Sequence, residues 1–92
     1  MELQIISAAW CKRCDEIKPK AIAVAGLAST TLKVVDYDAE LTEEEREVIQ
    51  KLPTLRFRAS TTGAWRAFLP TEFDAWKRTV LEAAVLAEDS DF

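Results

Sequence analysis

The chain contains two cysteines and no histidine. Cys11 and Cys14 are spaced as Cys-x-x-Cys, an arrangement that random placement of two cysteines gives roughly 2% of the time. Without histidine, the usual general base, the commonest metal ligand and the Ser–His and Cys–His dyads are all missing. Chemistry here has to run on carboxylates, amines or thiols. A close pair of thiols can exchange with a disulfide, or it can supply half of a tetrahedral zinc shell. The zinc reading requires a homodimer sharing four thiolates. A disulfide framework of the secreted kind uses more cysteines, spread along the chain.

The neighbouring elements decide what such a pair can do. Leu3 to Ser7 reads as a short buried strand. From Cys11 to about Ala25 the pattern turns helical, with Cys14, Ile17, Ala21, Val24 and Ala28 recurring at spacings of three and four. The dithiol is therefore expected where a strand ends and a helix begins. The first turn of a helix carries unpaired N–H groups and about half a positive charge, which favours a thiolate over a thiol. Cys11 is expected to be exposed at the helix tip and to act as the nucleophile. Cys14, nearly one turn on, is expected to be more buried and to resolve the mixed disulfide. Lys12 and Arg13 place two positive charges between the sulfurs and are expected to tune the thiolate. Each unit of pKa so gained corresponds to ~1.4 kcal/mol, or ~30 mV in a two-electron couple. The plainer reading of both side chains is a solvated, salt-screened face.

Pro19 lies within this helix, removes one backbone hydrogen bond and should kink it. Gly26 is the expected stop. Leu32 to Asp36 reads as a second strand, followed by Tyr37 and Asp38. Thr42-Glu43-Glu44-Glu45 is a capping box, and the helix it opens should reach about Lys51 with Val48 and Ile49 inward. Thr54 to Arg58 and Ala64 to Phe68 read as an antiparallel pair around a turn at residues 59–63. A second capping box, Thr71 to Asp74, precedes a last helix with Phe73, Trp76, Val80, Ala84 and Ala87 on one stripe. Trp76 is assigned to the core and Trp65 to core or rim, while Trp10 is placed at the surface beside the nucleophile. Glu88 to Phe92 is expected to fray. The order is βαβαββα: an α/β fold with a four-stranded mixed sheet flanked by three helices. A helical crossover makes the first two strands parallel.

Composition narrows the rest. At 92 residues the chain is one domain, and its 49% hydrophobic and 30% charged content excludes a disordered segment. A net charge of −4 and a pI near 4.8 argue against nucleic acid. No apolar run approaches the ~20 residues of a membrane span. Met1 leads almost directly into Leu3-Gln4-Ile5-Ile6 with neither a basic n-region nor a long apolar h-region, so no secretory signal is expected. The expected setting is a reducing, cytoplasmic one. The acids Asp36, Asp38, Glu40 and Glu43 to Glu47 read as a solvated face, with steering of a basic partner as the alternative.

Trp10-Cys11-Lys12-Arg13-Cys14, with Pro19 five residues after Cys14, resembles the Trp-Cys-x-x-Cys-x4-Pro signature of the thioredoxin family. Leu52-Pro53-Thr54-Leu55 is similar to that family's hydrophobic-Pro-Thr-hydrophobic stretch, and Asp36-Tyr37-Asp38 to its Asp-x-Asp. The likeness covers Leu3 to Ala87, without the family's common N-terminal strand and helix. It implies a minimal thioredoxin-like fold and a protein-disulfide reductase. In this reading Cys11 attacks and Cys14 resolves, and no cofactor is needed beyond an external, thioredoxin-reductase-like electron donor. It also implies a cis Pro53 beside the cysteines, with Leu52 pairing its backbone to an extended substrate, so that Trp10, Leu52 and Pro53 form the substrate groove. Partners are then disulfide-containing proteins, and the protein is a monomer.

Three departures stand out. Ile5 occupies the position of the family's buried Asp, and Val34 that of its accompanying Lys. Without that carboxylate, Cys14 must lose its proton to water or to Asp15, whose plainer role is a helix-N-terminal charge. Phe68 or Leu69 stands where the family offers a groove glycine. The expected potential is roughly −270 to −200 mV. A glutaredoxin-like, glutathione-linked protein is the nearest alternative, although neither Cys-Pro-Tyr-Cys nor Gly-Gly-x-Asp is present. A non-enzymatic module of the same fold, serving as a partner or assembly subunit, is the other.

Overall fold

A computed structural model describes the backbone of residues 1–89 and the side chains of residues 1–85. In chain order the elements are β1 (Glu2–Ser7), α1 (Lys12–Leu27), β2 (Leu32–Asp36), α2 (Glu43–Val48), β3 (Thr54–Arg58), β4 (Arg66–Phe68), a 3-10 turn at Pro70–Glu72 and α3 (Phe73–Asp89). The order is the expected βαβαββα. The sheet runs β2-β1-β3-β4, with β1 and β2 parallel and the remaining neighbours antiparallel. Strand β1 lies inside the sheet, with Leu3, Ile5, Ile6 and Ser7 buried and Glu2 and Gln4 half-buried on the thinner face.

One face carries the main core. Leu3 and Ile5 of β1, Leu55 and Phe57 of β3 and Phe68 pack against Ala21, Val24 and Ala25 of α1 and Trp76 and Val80 of α3. Trp76 is fully buried, and its indole donates to the Arg56 carbonyl at 3.3 Å. The other face is thinner. Ile6, Val35 and Leu41 form a small cluster there, joined by Tyr37, Ile49 and Leu52. Helix α2 buries none of its own residues.

Several boundaries differ from expectation. Helix α1 continues through Pro19 and Gly26 to Leu27. Its end is set by Ser29, at φ 55°. The Thr30 amide reaches back to the Ala25 carbonyl at 3.0 Å and the Ser29 amide to that of Gly26 at 3.1 Å. This is a Schellman closure with serine where glycine is usual. The Thr42–Glu45 capping box is present, but α2 stops at Val48. Ile49 is extended and turns inward, and the chain then leads into Leu52-Pro53, where a residue before proline disfavours helix. Val48, expected inward, is left 75% exposed. Strand β4 begins at Arg66, two residues later than expected, and the ring of Trp65 just before it lies against the Arg56 and Arg58 guanidiniums. The Thr71–Asp74 box is replaced by the turn at Pro70, where the Glu72 carboxylate accepts the Leu69 amide at 2.9 Å. Of the expected frayed tail, Glu88 and Asp89 belong to α3, and residues 90–92 lie outside the described residues, as does the Ala87 side chain.

Ser29→Gly should relieve the left-handed serine and raise the unfolding free energy by about 1 kcal/mol. The check is a higher urea midpoint at unchanged slope. An unchanged or lower midpoint contradicts this helix ending.

Candidate dithiol site

Strand β1 ends at Ser7, and helix α1 starts five residues later. In between, the Cys11 amide donates to the Ala8 carbonyl at 3.1 Å, closing a tight turn. Cys11 then serves as the N-cap of α1 in extended conformation, φ −97° and ψ 105°. Its Sγ accepts the Cys14 amide at 3.2 Å. A sulfur here does what Ser or Asp does at most helix starts.

The pair is more enclosed than expected. Cys11 keeps 8% of its surface and Cys14 none. The expected asymmetry is present, but Cys11 is not openly exposed, because Ala8, Tyr37 and Leu52 pack around both sulfurs. Both cysteines are free thiols. Leu52 is thus brought to the pair, and its peptide bond to Pro53 is cis, as the resemblance implied. Pro53 is fully buried. Trp10 is 65% exposed beside the site. Its ring meets Tyr37 edge-on at 6.3 Å, and its indole donates to Asp38 Oδ2 at 2.9 Å. Lys12, Arg13 and Asp15 are exposed, and neither cation forms an ion pair among the described residues.

Tyr37, Asp38 and Lys18 also belong to this surrounding, and sequence reasoning missed their part. The signal for the first two was available. Parallel strands β1 and β2 end side by side, so residues just after β2 must lie beside residues just after β1. The Tyr37 amide donates to the Ser7 carbonyl at 2.8 Å, which continues the ladder toward the thiols. Asp38 is fixed by its neighbours: Asp36 Oδ1 accepts the amides of Asp38 at 2.8 Å and Ala39 at 3.0 Å. Arg46 donates to the Asp38 carbonyl at 3.2 Å, and Glu40 Oε2 accepts the Asp36 amide at 2.7 Å. Part of the acidic run thus holds its own turn.

Ile5 is fully buried in the main core, and its ladder partner in β2 is Val34, which is exposed. The two apolar replacements are therefore direct neighbours. Phe68 is buried, and Leu69 lines a groove beyond it. Among the described residues no three His, Cys, Asp or Glu side chains gather as a metal site, and no helix is long and apolar enough to cross a membrane.

Burial pushes the Cys14 thiol up to about 12, helped by its hydrogen bond with Cys11 and by the charge of Cys11. Backbone hydrogen bonding at Ala8 and the positive charge of Lys18 oppose the rise. Cys14 is thus held as a neutral thiol, and the asymmetry that burial creates is also an asymmetry of protonation.

Comparison with protein-family models and with curated proteins finds no match to this chain.

The Cys14 shift has a consequence for stability. The folded protein keeps a proton that the unfolded chain gives up near pH 9, so this contribution is complete below pH 9.0 and is lost as pH rises toward about 12. The stability advantage of the reduced wild type over Cys14→Ala should therefore shrink between about pH 9 and pH 12. Denaturant titrations of both proteins across that interval check it. A pH-independent difference contradicts the protonated, buried Cys14.

Proposed function

We propose that the protein is a thiol–disulfide oxidoreductase that reduces protein disulfides, a minimal relative in chemistry of the thioredoxin family it resembles. The observation that carries this reading is the unequal dithiol at the start of α1. One sulfur caps the helix with a remnant of surface, and the other is sealed behind it as a neutral thiol.

In this mechanism Cys11 reacts in the thiolate form, the nucleophile of disulfide exchange, with the exposed Lys12 and Arg13 next to it in the first turn of α1. It attacks one sulfur of the substrate disulfide. The substrate S–S bond breaks, a mixed disulfide forms at Cys11, and the released substrate thiolate takes up a proton from water. Two of the influences that raise the Cys14 pKa, the hydrogen bond and the charge of Cys11, belong to Cys11 as a free sulfur. Formation of the mixed disulfide removes the charge. Cys14 then loses its proton to water and attacks Cys11 Sγ, which forms the Cys11–Cys14 disulfide and expels the second substrate sulfur. Two electrons have passed to the substrate. An external donor of the thioredoxin-reductase kind returns them, with no bound cofactor.

Trp10, Leu52 and Pro53 form the substrate groove. Leu52 packs in the cysteine cluster, and the exposed Trp10, held by Tyr37 and Asp38, offers its ring to substrate next to Cys11. A cytoplasmic, monomeric protein suits both the free thiols and the acidic composition.

Reduction of insulin by dithiothreitol tests the proposal. The wild type should accelerate precipitation several-fold over dithiothreitol alone. Cys11→Ser and Cys14→Ser should both fall to the uncatalysed rate. Cys14→Ser should also accumulate a covalent adduct at Cys11, visible by mass spectrometry without reductant. A wild type no faster than dithiothreitol alone overturns the reading.

A further inference from the structure

The thin face of the sheet carries a second feature that involves no thiol. Arg56 and Arg58 lie two residues apart on β3 and therefore share one face. Both guanidiniums lie over the Trp65 ring, at 5.1 and 4.3 Å. Their partners differ. Arg58 is paired with Glu2. Among the described residues Arg56 has only the neutral Gln4 amide oxygen on its Nη2, and no partner for its buried Nε. Burial lowers the Arg56 pKa and the charge of Arg58 adds to this, with Glu45 opposing. Glu45 itself is committed to the Thr42 amide at 3.0 Å. Glu45 acts on Arg56 only through space, since among the described residues Arg56 forms no ion pair; a half-buried cation so placed is costly and asks for an explanation.

Arg56 sits in a groove of about 360 Å³ between the end of α2 and the β3–β4 hairpin. Val48, Ile49 and Leu69 supply its apolar walls, with Trp65 and Ala67 also lining it. Val48 is the apolar residue that α2 leaves exposed. The groove thus offers, among apolar side chains, a guanidinium that forms no ion pair among the described residues. A bare phosphate would satisfy the charge and leave the apolar walls in water. An extended segment carrying both a carboxylate and an apolar side chain satisfies both.

We propose that this groove binds an acidic, apolar-flanked peptide segment of a partner protein, with a Glu or Asp carboxylate on Arg56 and an adjacent apolar side chain against Val48 and Leu69. This site does not depend on the dithiol chemistry, and its success or failure leaves that chemistry where it stands.

The test is an NMR titration of the ¹⁵N-labelled, reduced full chain with an acetylated, amidated Leu-Glu-Ile-Glu-Phe peptide. A peptide with both Glu changed to Gln, inorganic phosphate and anionic lipid vesicles serve as parallel arms. The Glu peptide should shift the Arg56 Nε–H, the Trp65 indole N–H and the Leu69 amide. It should bind about tenfold or more tightly than the Gln peptide, since it alone makes the charge-assisted bond. Arg56→Gln should erase that preference. Val48→Glu changes only an exposed side chain and should weaken the Glu peptide by repulsion, so it decides the matter if Arg56→Gln does not fold. Equal binding of the two peptides overturns the proposal. So do shifts elsewhere on the molecule, equal responses to phosphate or vesicles, or no response at millimolar peptide, which would leave Arg56 as a structural clamp on Gln4 and Trp65.

Discussion

The Cys14 amide donates to Cys11 Sγ at 3.2 Å, and this bond makes a sulfur the cap of helix α1. Much else follows from it. A cap side chain must turn back over the first helical turn, which holds the Cys11 sulfur above the unpaired N–H groups. The same turn places Cys14 on the buried stripe of α1, with Ala21, Val24 and Ala25. One side chain is thereby left with a route to solvent and its partner with none. The chemical difference between two identical residues comes from where a helix begins.

The surroundings reinforce that difference. Leu52 and Tyr37 pack on the sulfurs from two loops that the sheet topology forces together. Tyr37 follows β2, which runs parallel to β1, and Leu52 precedes β3, which runs antiparallel to it. All three segments meet at the same end of the central strand. Trp10 is tied to this cluster through Tyr37 and Asp38 and remains largely in solvent. Ile5 is fully buried in the main core, and Cys14 is fully buried in a separate small cluster with Ala8 and Cys11. Burial of the Cys14 sulfur disfavours its charged form.

The element order was legible because hydrophobic periodicity is strong in β1, α1, β3 and α3, and Thr42 to Glu45 announces a helix start in four residues. What failed was mainly boundaries, each for a local reason. Gly26 reads as a stop, but the helix runs on to Leu27 and is closed by a left-handed Ser29 beyond its C-cap, a conformation for which serine gives no signal. Val48 and Ile49 are equally apolar, and only the turn toward Leu52-Pro53 decides which one faces inward. At the site, residue type and spacing located the two thiols, while the cis bond before Pro53 was implied by resemblance alone. The closing of Tyr37 and Leu52 over Cys11 depends on side-chain packing between distant segments, which no local pattern encodes. The same holds for Trp65 and the Arg56 guanidinium.

The account depends on unequal access to two sulfurs. Timed alkylation of the reduced protein with excess iodoacetamide near neutral pH, followed by peptide mass spectrometry, reads this directly. Cys11 should be labelled first, with Cys14 labelled only at the rate of unfolding and at once when denaturant is added. Equal labelling of both thiols in the folded protein, or labelling of Cys14 ahead of Cys11, would contradict the account.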